Sequence, residues 1–468
     1  MERLLEINRR GAPKPIWPGR TVFGYGAELG VEPITEGLIW MPDEDRAGHV
    51  GCLGTTRSGK SRLIESLTEQ DIRKNYSAAV FDPKGDWELF SKFIQVAAEC
   101  GRLEEVMLLT PVFPDHSVYL DPLSNYYMEE ELVNHIYSIL PGKDSAHSEF
   151  FTGTAESVAH AIISGSIRLS RARGDRVPLT FHDIKMRMNH EDLRRLSESL
   201  SMLPNTEDLR HTIDSFTQNP ALQDYYTKIS GSLRDGMIKL TMGNTGRIIG
   251  KARTNPFIQR LERGERVLLY CTLGSLLTSR VSYVVAKVFV SMIQSLAGRM
   301  FARGSKLAVP LCLHLDEGHN VLYPGIHELF NKSGGANIWV HLYTQSKAQI
   351  EKEAGNLSAQ SIMDSINTWA YFRLNHPETA HHVQERSPLV DRQEAVIGLG
   401  SSVTMRGMKM RQIQQEKVIA LENRWFYFLS RHMNCKGRTL DVYPPYVRVH
   451  FPHITNDGAP LGATPRSA

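Results

Sequence analysis

The stretch Gly54-Thr-Thr-Arg-Ser-Gly59-Lys60-Ser61 limits what this chain can fold into more than any other feature. It fits G-x-x-x-x-G-K-[ST], in which glycines let the backbone curl until several N–H groups converge on a phosphate. The apolar His49-Val-Gly-Cys-Leu53 before it reads as a buried strand, and Arg62-Leu-Ile-Glu-Ser-Leu67 after it as a helix start. A helix N-terminus adds a positive end aimed at the same anion. Gly54, Thr55, Thr56, Arg57, Ser58, Gly59, Lys60, Ser61 and Arg62 are therefore the expected contacts for ATP, with Lys60 reaching the β/γ-phosphates and the Ser61 hydroxyl ligating Mg2+. The competing reading is a Gly-rich turn with a solvated lysine, which the flanking strand and helix disfavour.

More βα units follow. Ala78 to Phe81 is a short apolar strand stopped by Asp82-Pro83, and Val106 to Thr110 predicts another, so the connections imply a parallel, doubly wound sheet. Ligands of such sheets sit at the carboxyl ends of the strands, which places Asp82, Lys84 and Asp86 on the functional rim; ordinary turn chemistry explains these residues equally well. From about 128 to 254 the periodicity is helical, with Phe150, Phe151, Val158, Ile162 and Ile163 on one apolar face, Gly174 as a stop and Thr180-Phe-His-Asp183 as a start. That is an all-helical insertion. Strands return at Arg266–Cys271 and Val309–Leu315, the second running into Asp316-Glu317. An apolar strand ending in Asp-Glu is the usual companion of a phosphate loop: Asp316 for the metal, Glu317 for the attacking water. The strand Asn337–Tyr343 ends in Thr344-Gln345-Ser346, where the Gln345 amide can sense the γ-phosphate or simply cap the strand. Trp369–Arg373, Trp425–Leu429 and Tyr446–His450 read as further strands, and His376, His381 and His382 lack the spacing of a metal site.

Composition adds boundaries. A net charge of +3 over 468 residues neither demands nor excludes nucleic acid, and five scattered cysteines without a CxxC pair suit a reducing compartment. Met1-Glu-Arg-Leu-Leu-Glu6 is no signal peptide, and Val281–Ala297 suits a packed helix better than a membrane span. The expected organisation is a Pro/Gly-rich segment 1–48 that wraps or pairs at an edge rather than forming long helices, a nucleotide-binding domain 49–127 and 255–454, the insertion 128–254 and a disordered tail 455–468.

Beyond the single motifs, their order resembles that of conjugative type IV coupling proteins of the TraD/TraG type, most closely the TraD branch of integrative conjugative elements. The resemblance rests on Gly54–Ser61, Phe81-Asp-Pro-Lys-Gly-Asp86, Ile139-Leu-Pro-Gly-Lys143, Leu315-Asp-Glu317, Leu322–Phe330, Gly334-Gly-Ala336 with Trp339, Thr344-Gln-Ser346, Ser361–Asn367 and Pro377–Ala380. It implies an α/β fold, a RecA-like P-loop NTPase domain with an inserted all-alpha domain, assembled as a homo-hexamer around a DNA channel. It implies ATP hydrolysis with Mg2+ to deliver relaxase-bound single-stranded DNA to a type IV secretion channel, with relaxase, channel components and single- or double-stranded DNA as partners. A trans-acting arginine finger is expected of such motors; here the role falls to Lys332, to Arg373 or to neither. Members usually carry transmembrane helices and no segment here supplies them, so a cytoplasmic chain, or one peripheral to the inner membrane through an anchoring partner, is expected. Two other readings share the ATP motifs: an FtsK/HerA-like DNA translocase, which would lack the helical insertion, and a nucleotide-gated adaptor that recruits a relaxase without turnover. The Lys84 turn and the Asn331–Gly335 loop are expected to face DNA from the pore side of the sheet, with the basic stretch 406–417 next in line.

Overall fold

Short apolar runs separated by turn residues find partners in one sheet. The computed structural model describes residues 5–7, 16–140, 146–174, 179–218, 226, 230–397 and 403–451. The tail 455–468, Pro141–Lys143 of the insertion motif and the side chains of Phe150 and Phe151 lie outside the described residues. In chain order the strands are β1 (Leu5–Ile7), β2 (Arg20–Glu28), β3 (Glu36–Pro42), β4 (Val50–Leu53), β5 (Ser77–Asp82), β6 (Val106–Leu109), β7 (Leu268–Thr272), β8 (Leu311–Leu315), β9 (Ile338–Thr344), β10 (Thr368–Tyr371), β11 (Leu389–Ile397), β12 (Val403–Arg411), β13 (Trp425–Leu429), β14 (Asn434–Thr439) and β15 (Val447–Val449).

Eleven of these form one sheet in the order β3-β2-β14-β13-β10-β4-β9-β8-β5-β7-β6. From β10 to β6 all neighbours run parallel, while β13, β14, β2 and β3 extend the sheet antiparallel. Strands β4, β5, β8 and β9 are buried along their whole length, as parallel strands covered on both faces must be. Side-chain alternation divides the core between the faces. Phe81, Leu313, Leu315 and Leu342 face the long helix Ser275–Ala302 and the insertion, and Cys52, Val80, Tyr270 and Tyr343 face α1 (Lys60–Arg73) and α2 (Trp87–Glu99). The helix Ser275–Ala302 is long and apolar enough to cross a membrane, yet more than half of its apolar window is buried inside the protein.

Two expectations change. Strands β2 and β3 join the main sheet, so the boundary at 48 falls within it. Pro33 lies between the two strands and Pro42 ends the second, which leaves the ladder intact. Strand β15 does not close that sheet but pairs with β1 in a separate ribbon. A long β11–β12 hairpin, absent from the sequence reading, contains the basic 406–411 stretch.

The insertion contains α3 (Glu129–Tyr137), α4 (Ala146–Ala172), α5 (Phe181–Met186), α6 (His190–Leu200), α7 (Glu207–Thr217) and the helix Gly231–Thr241. Thr180 and Asp183 form the expected capping box, and Gly174 turns the chain at φ 73° after α4. The way in and the way out are stitched together: Leu120 N–H donates to Ile248 O (3.0 Å) and Asp121 N–H to Thr254 O (2.8 Å). Asp121 is buried with Oδ2 unpartnered, and burial pushes its carboxyl up to about 8.

Beneath the sheet's other face lies a buried ionic network. Arg46, just ahead of β4, grips Asp71 of α1 with Nη1 at 2.5 Å and Nη2 at 2.9 Å, both side chains being fully buried. His314 of β8 reaches the same carboxylate with Nε2 (2.8 Å) and meets the Tyr343 hydroxyl with Nδ1 (3.0 Å). His341 of β9 accepts from Arg46 Nε (3.1 Å) and stacks on His314 at 4.4 Å. Burial holds both imidazoles below their ordinary range, hence neutral.

Two outcomes are expected. Arg46→Met leaves Asp71 buried without its partner and lowers stability by about 3–5 kcal/mol, whereas Arg46→Met/Asp71→Leu recovers part of the loss; denaturation in which the double variant is the less stable refutes this. Because Asp121 holds its proton when folded and ionises at 3.8 when unfolded, its contribution is full below pH 4 and lost as pH rises toward 8. Asp121→Asn should therefore flatten the decline of the unfolding midpoint between pH 5 and pH 9, and parallel curves would count against it.

Candidate nucleotide-binding site

The phosphate loop runs from the end of β4 to the start of α1, between the carboxyl ends of β10 and β9. Gly54 N–H donates to Thr344 O (3.1 Å) and Thr55 N–H to Arg373 O (2.9 Å), so both neighbouring strands hold the loop. Arg57 at φ 60° and Gly59 at φ 120° give it the left-handed turns it needs. A Cβ on Gly54 would stand 2.7 Å from both Phe372 Cβ and Ser58 Oγ. Ser58 Oγ closes the loop onto Thr55 O (2.7 Å). The Lys60 ammonium is nearly buried across the loop, donating to Gly54 O and to Thr55 O (3.0 Å). Ser61 is exposed at the helix start, as are Thr56 and Arg57 on the loop. Arg62 is engaged elsewhere, with Glu65 and Glu88 at 2.7 Å each.

Asp316 and Glu317 follow β8, one strand beyond β9. Asp316 is 5% exposed, its Oδ1 accepting from Glu317 N–H (2.9 Å); burial and then nearby Asp82 push its carboxyl up to about 7. Glu317 has a left-handed backbone, φ 45°, which is rare for a residue with a Cβ and concentrates at functional sites. Its carboxylate receives the Lys84 ammonium on Oε1 and the Gln345 amide at 3.2 and 3.0 Å. Burial raises this carboxyl, but Lys84 and Gln345 outweigh it and hold Glu317 below its ordinary value.

The rim turn after β5 divides by role. Asp82 is turn chemistry: its carboxylate accepts from the N–H groups of Lys84 (3.1 Å), Gly85 (2.9 Å) and Asp86 (2.5 Å) and from Tyr270 Oη (2.8 Å). Asp86 caps α2 through Glu88 N–H and Leu89 N–H. Lys84 alone reaches the Asp-Glu pair. Arg373 stands at the phosphate loop of its own chain, with Nε buried and unpartnered. Lys332 lies elsewhere. Its helix His327–Lys332 leads into the amino end of β9, Gly334 abuts Ala47 ahead of β4, and Lys332 pairs with Glu328. Lys84 and the Asn331–Gly335 loop thus occupy opposite ends of the sheet rather than one pore face. Among the described residues no group of three or more His, Cys, Asp or Glu is arranged to hold a metal, the His376–His382 cluster included.

Sequence reasoning missed Arg424. Its N–H donates to Ser58 O (2.7 Å) at φ 72°, and its guanidinium is tied to Thr439, Leu440 and Asp441. Asn375 Nδ2 also reaches Thr55 Oγ1 (3.3 Å). No local signal marks either residue; both arrive through strand order.

Sheet, loop and insertion together have the fold of a RecA-like P-loop NTPase carrying an all-α domain. Residues 310–387 match a family model described as the TraM recognition site of TraD and TraG. Over 100 residues the chain is 29% identical to the type 4 coupling protein DotL of Legionella pneumophila, a match covering 21% of this chain and 12% of DotL. Its fold is similar to the bacterial conjugative coupling protein TrwBdeltaN70 (TM-score 0.62, 14% identity, 92% of this chain and 98% of that one). It is equally similar to plasmid coupling protein TrwB in complex with ADP and Mg2+ (TM-score 0.62, 14% identity, 95% and 100% covered). VirB4 of Thermoanaerobacter pseudethanolicus is less similar (TM-score 0.53, 10% identity, 92% and 99% covered). In this segment and in fold the chain is thus similar to coupling proteins of the TraD/TraG type.

A methyl group at Gly54 tests the loop. Gly54→Ala should cost about 1–3 kcal/mol through overpacking against Phe372 and Ser58 and abolish any stabilisation by ATP in a thermal-shift measurement; an unchanged nucleotide shift would show that the loop tolerates it.

Proposed function

We propose that this chain is an ATP-driven motor of the coupling-protein type, moving DNA toward a type IV secretion channel. The observation that carries the reading is Glu317, gripped by Lys84 and by Gln345, the residue after Thr344, whose carbonyl at the end of β9 also holds the phosphate loop. Lys60 and the loop amides bind the phosphates of ATP. The donors suit Mg2+: the Ser61 hydroxyl and a buried Asp316 carboxylate are hard oxygens, and a divalent cation satisfies a carboxylate that burial otherwise drives toward its neutral form. Bound there, Mg2+ neutralises charge developing on the transferred phosphoryl group. Glu317 orients a water and takes its proton as the oxygen–γ-phosphorus bond forms and the bond to the β-bridging oxygen breaks. ADP leaves with that electron pair, and the proton passes to phosphate. Gln345 links Glu317 to β9 and so senses the γ-phosphate side. Of the two finger candidates, Arg373 stands at the loop of its own chain; Lys332, at the opposite end of the sheet, can act only on a neighbour's site in a homo-hexamer. Relaxase-bound single-stranded DNA is the proposed cargo, as the likeness to DotL and TrwB supports.

Lys60→Ala should lose ATP binding, whereas Glu317→Gln should bind ATP and turn it over about 10²-fold more slowly. Isothermal titration and phosphate release measure the two steps separately. Turnover by Glu317→Gln at the parent rate removes the assignment.

A further inference from the structure

We infer that Lys84 is a positioning residue that restrains Glu317, and that the phosphodiester backbone of a nucleic acid strand at the carboxyl rim releases the restraint by taking Lys84. The inference rests on the DNA-motor reading above. The Glu317 side chain is 5% exposed and that of Lys84 49% exposed, so one partner is fixed inside the site while the other opens to solvent. Both Glu317 oxygens are committed, Oε1 to Lys84 and Gln345, Oε2 to Gln345, with His319 Nδ1 at 3.7 Å. A carboxylate paired with an ammonium and an amide is a weaker acceptor for a water proton than one held by the amide alone.

Lys84 does not approach from the phosphate loop. The order β4-β9-β8-β5 places its turn three strands away, about 14 Å at the usual strand spacing, so its hold on Glu317 comes from the far side. Its backbone is pinned, because Asp82 accepts from three successive N–H groups of the turn and Ser275 N–H donates to Pro83 O (2.7 Å). Its side chain is the exposed part. The Lys84 end of the pair is half exposed and screened by solvent, and a row of phosphates with condensed counterions competes well for such a lysine. With Lys84 withdrawn, Glu317 Oε1 loses its charged donor and opens to a water, while the neutral Gln345 amide still holds the carboxylate. Turnover then follows occupancy of the rim.

The test is steady-state ATP hydrolysis by the full chain, with and without a single-stranded oligonucleotide, for the parent, Lys84→Ala and Lys84→Arg. The expected result is a Lys84→Ala rate about fivefold above the parent without DNA, the loss of one weak ion pair, with KM for ATP unchanged and little further stimulation by DNA. Lys84→Arg, which keeps the pair, should be restrained and stimulated as the parent is. Equal basal rates and equal stimulation in the parent and Lys84→Ala overturn the inference while leaving the DNA-motor reading intact, as does a Lys84→Ala rate below the parent's. A parent that hydrolyses ATP without any response to DNA overturns both that reading and nucleic-acid release.

Discussion

The site depends on a charge pair it never touches. Arg46 and Asp71 are completely buried, and such a pair persists only when geometry and extra hydrogen bonds offset the loss of water around two ions. Here the extra bonds come from His314 and His341, so one contact point gathers the segment ahead of β4, the body of α1 and the middles of β8 and β9. Lys60 begins the helix that carries Asp71; Asp316 follows His314 by two residues, and Gln345 follows His341 by four. The network therefore sets the relative positions of the phosphate loop, the Asp-Glu pair and the glutamine from below. Neutral imidazoles suit this role, since a second buried cation would leave the cluster in excess positive charge.

Above that base, the rim holds its acids in unequal states. Asp316 is buried among carboxylates and tends toward protonation, while Glu317, one residue on, is kept ionised by Lys84. The backbone contributes as well: Arg57, Glu317 and Arg424, all with side chains that disfavour positive φ, adopt it around the loop. Strain gathered this closely persists because three separate strand ends impose it.

Much of this was legible in the sequence because the decisive elements are local. The phosphate loop announces itself through Gly54, Gly59 and Lys60, and β8 and β9 through mainly apolar runs, each broken by a single histidine, that end in Asp316-Glu317 and Gln345. The insertion showed through helical periodicity and caps such as Thr180–Asp183. What stayed hidden depends on strand order. Nothing near Arg424 says that it meets Ser58, nothing near Lys84 says that it meets Glu317 rather than solvent, and Lys332 follows the Asp-Glu strand in sequence yet returns to the sheet's opposite end. Strands β2 and β3 were concealed by the prolines around them, and β14 by Gly437 and alternating polar residues that pack only on one side.

Strand order also dictates when the molecule can be completed. Strand β14 pairs with β2 on one side and with β13 on the other, while β13 walls β10 beside the loop strand β4. Residues near 25 therefore wait for partners near 438, nearly the whole chain away. During synthesis the left half of the sheet is an open edge, with β10 and β2 unsatisfied until the last strands leave the ribosome. Contacts of such sequence separation are the slowest to form. Because the Arg424 N–H is delivered to Ser58 only by that late closure, the phosphate loop takes its final shape as one of the last events of folding. The residues that begin the site near 54 thus share their last hydrogen bond with residues that leave the ribosome near the end of synthesis.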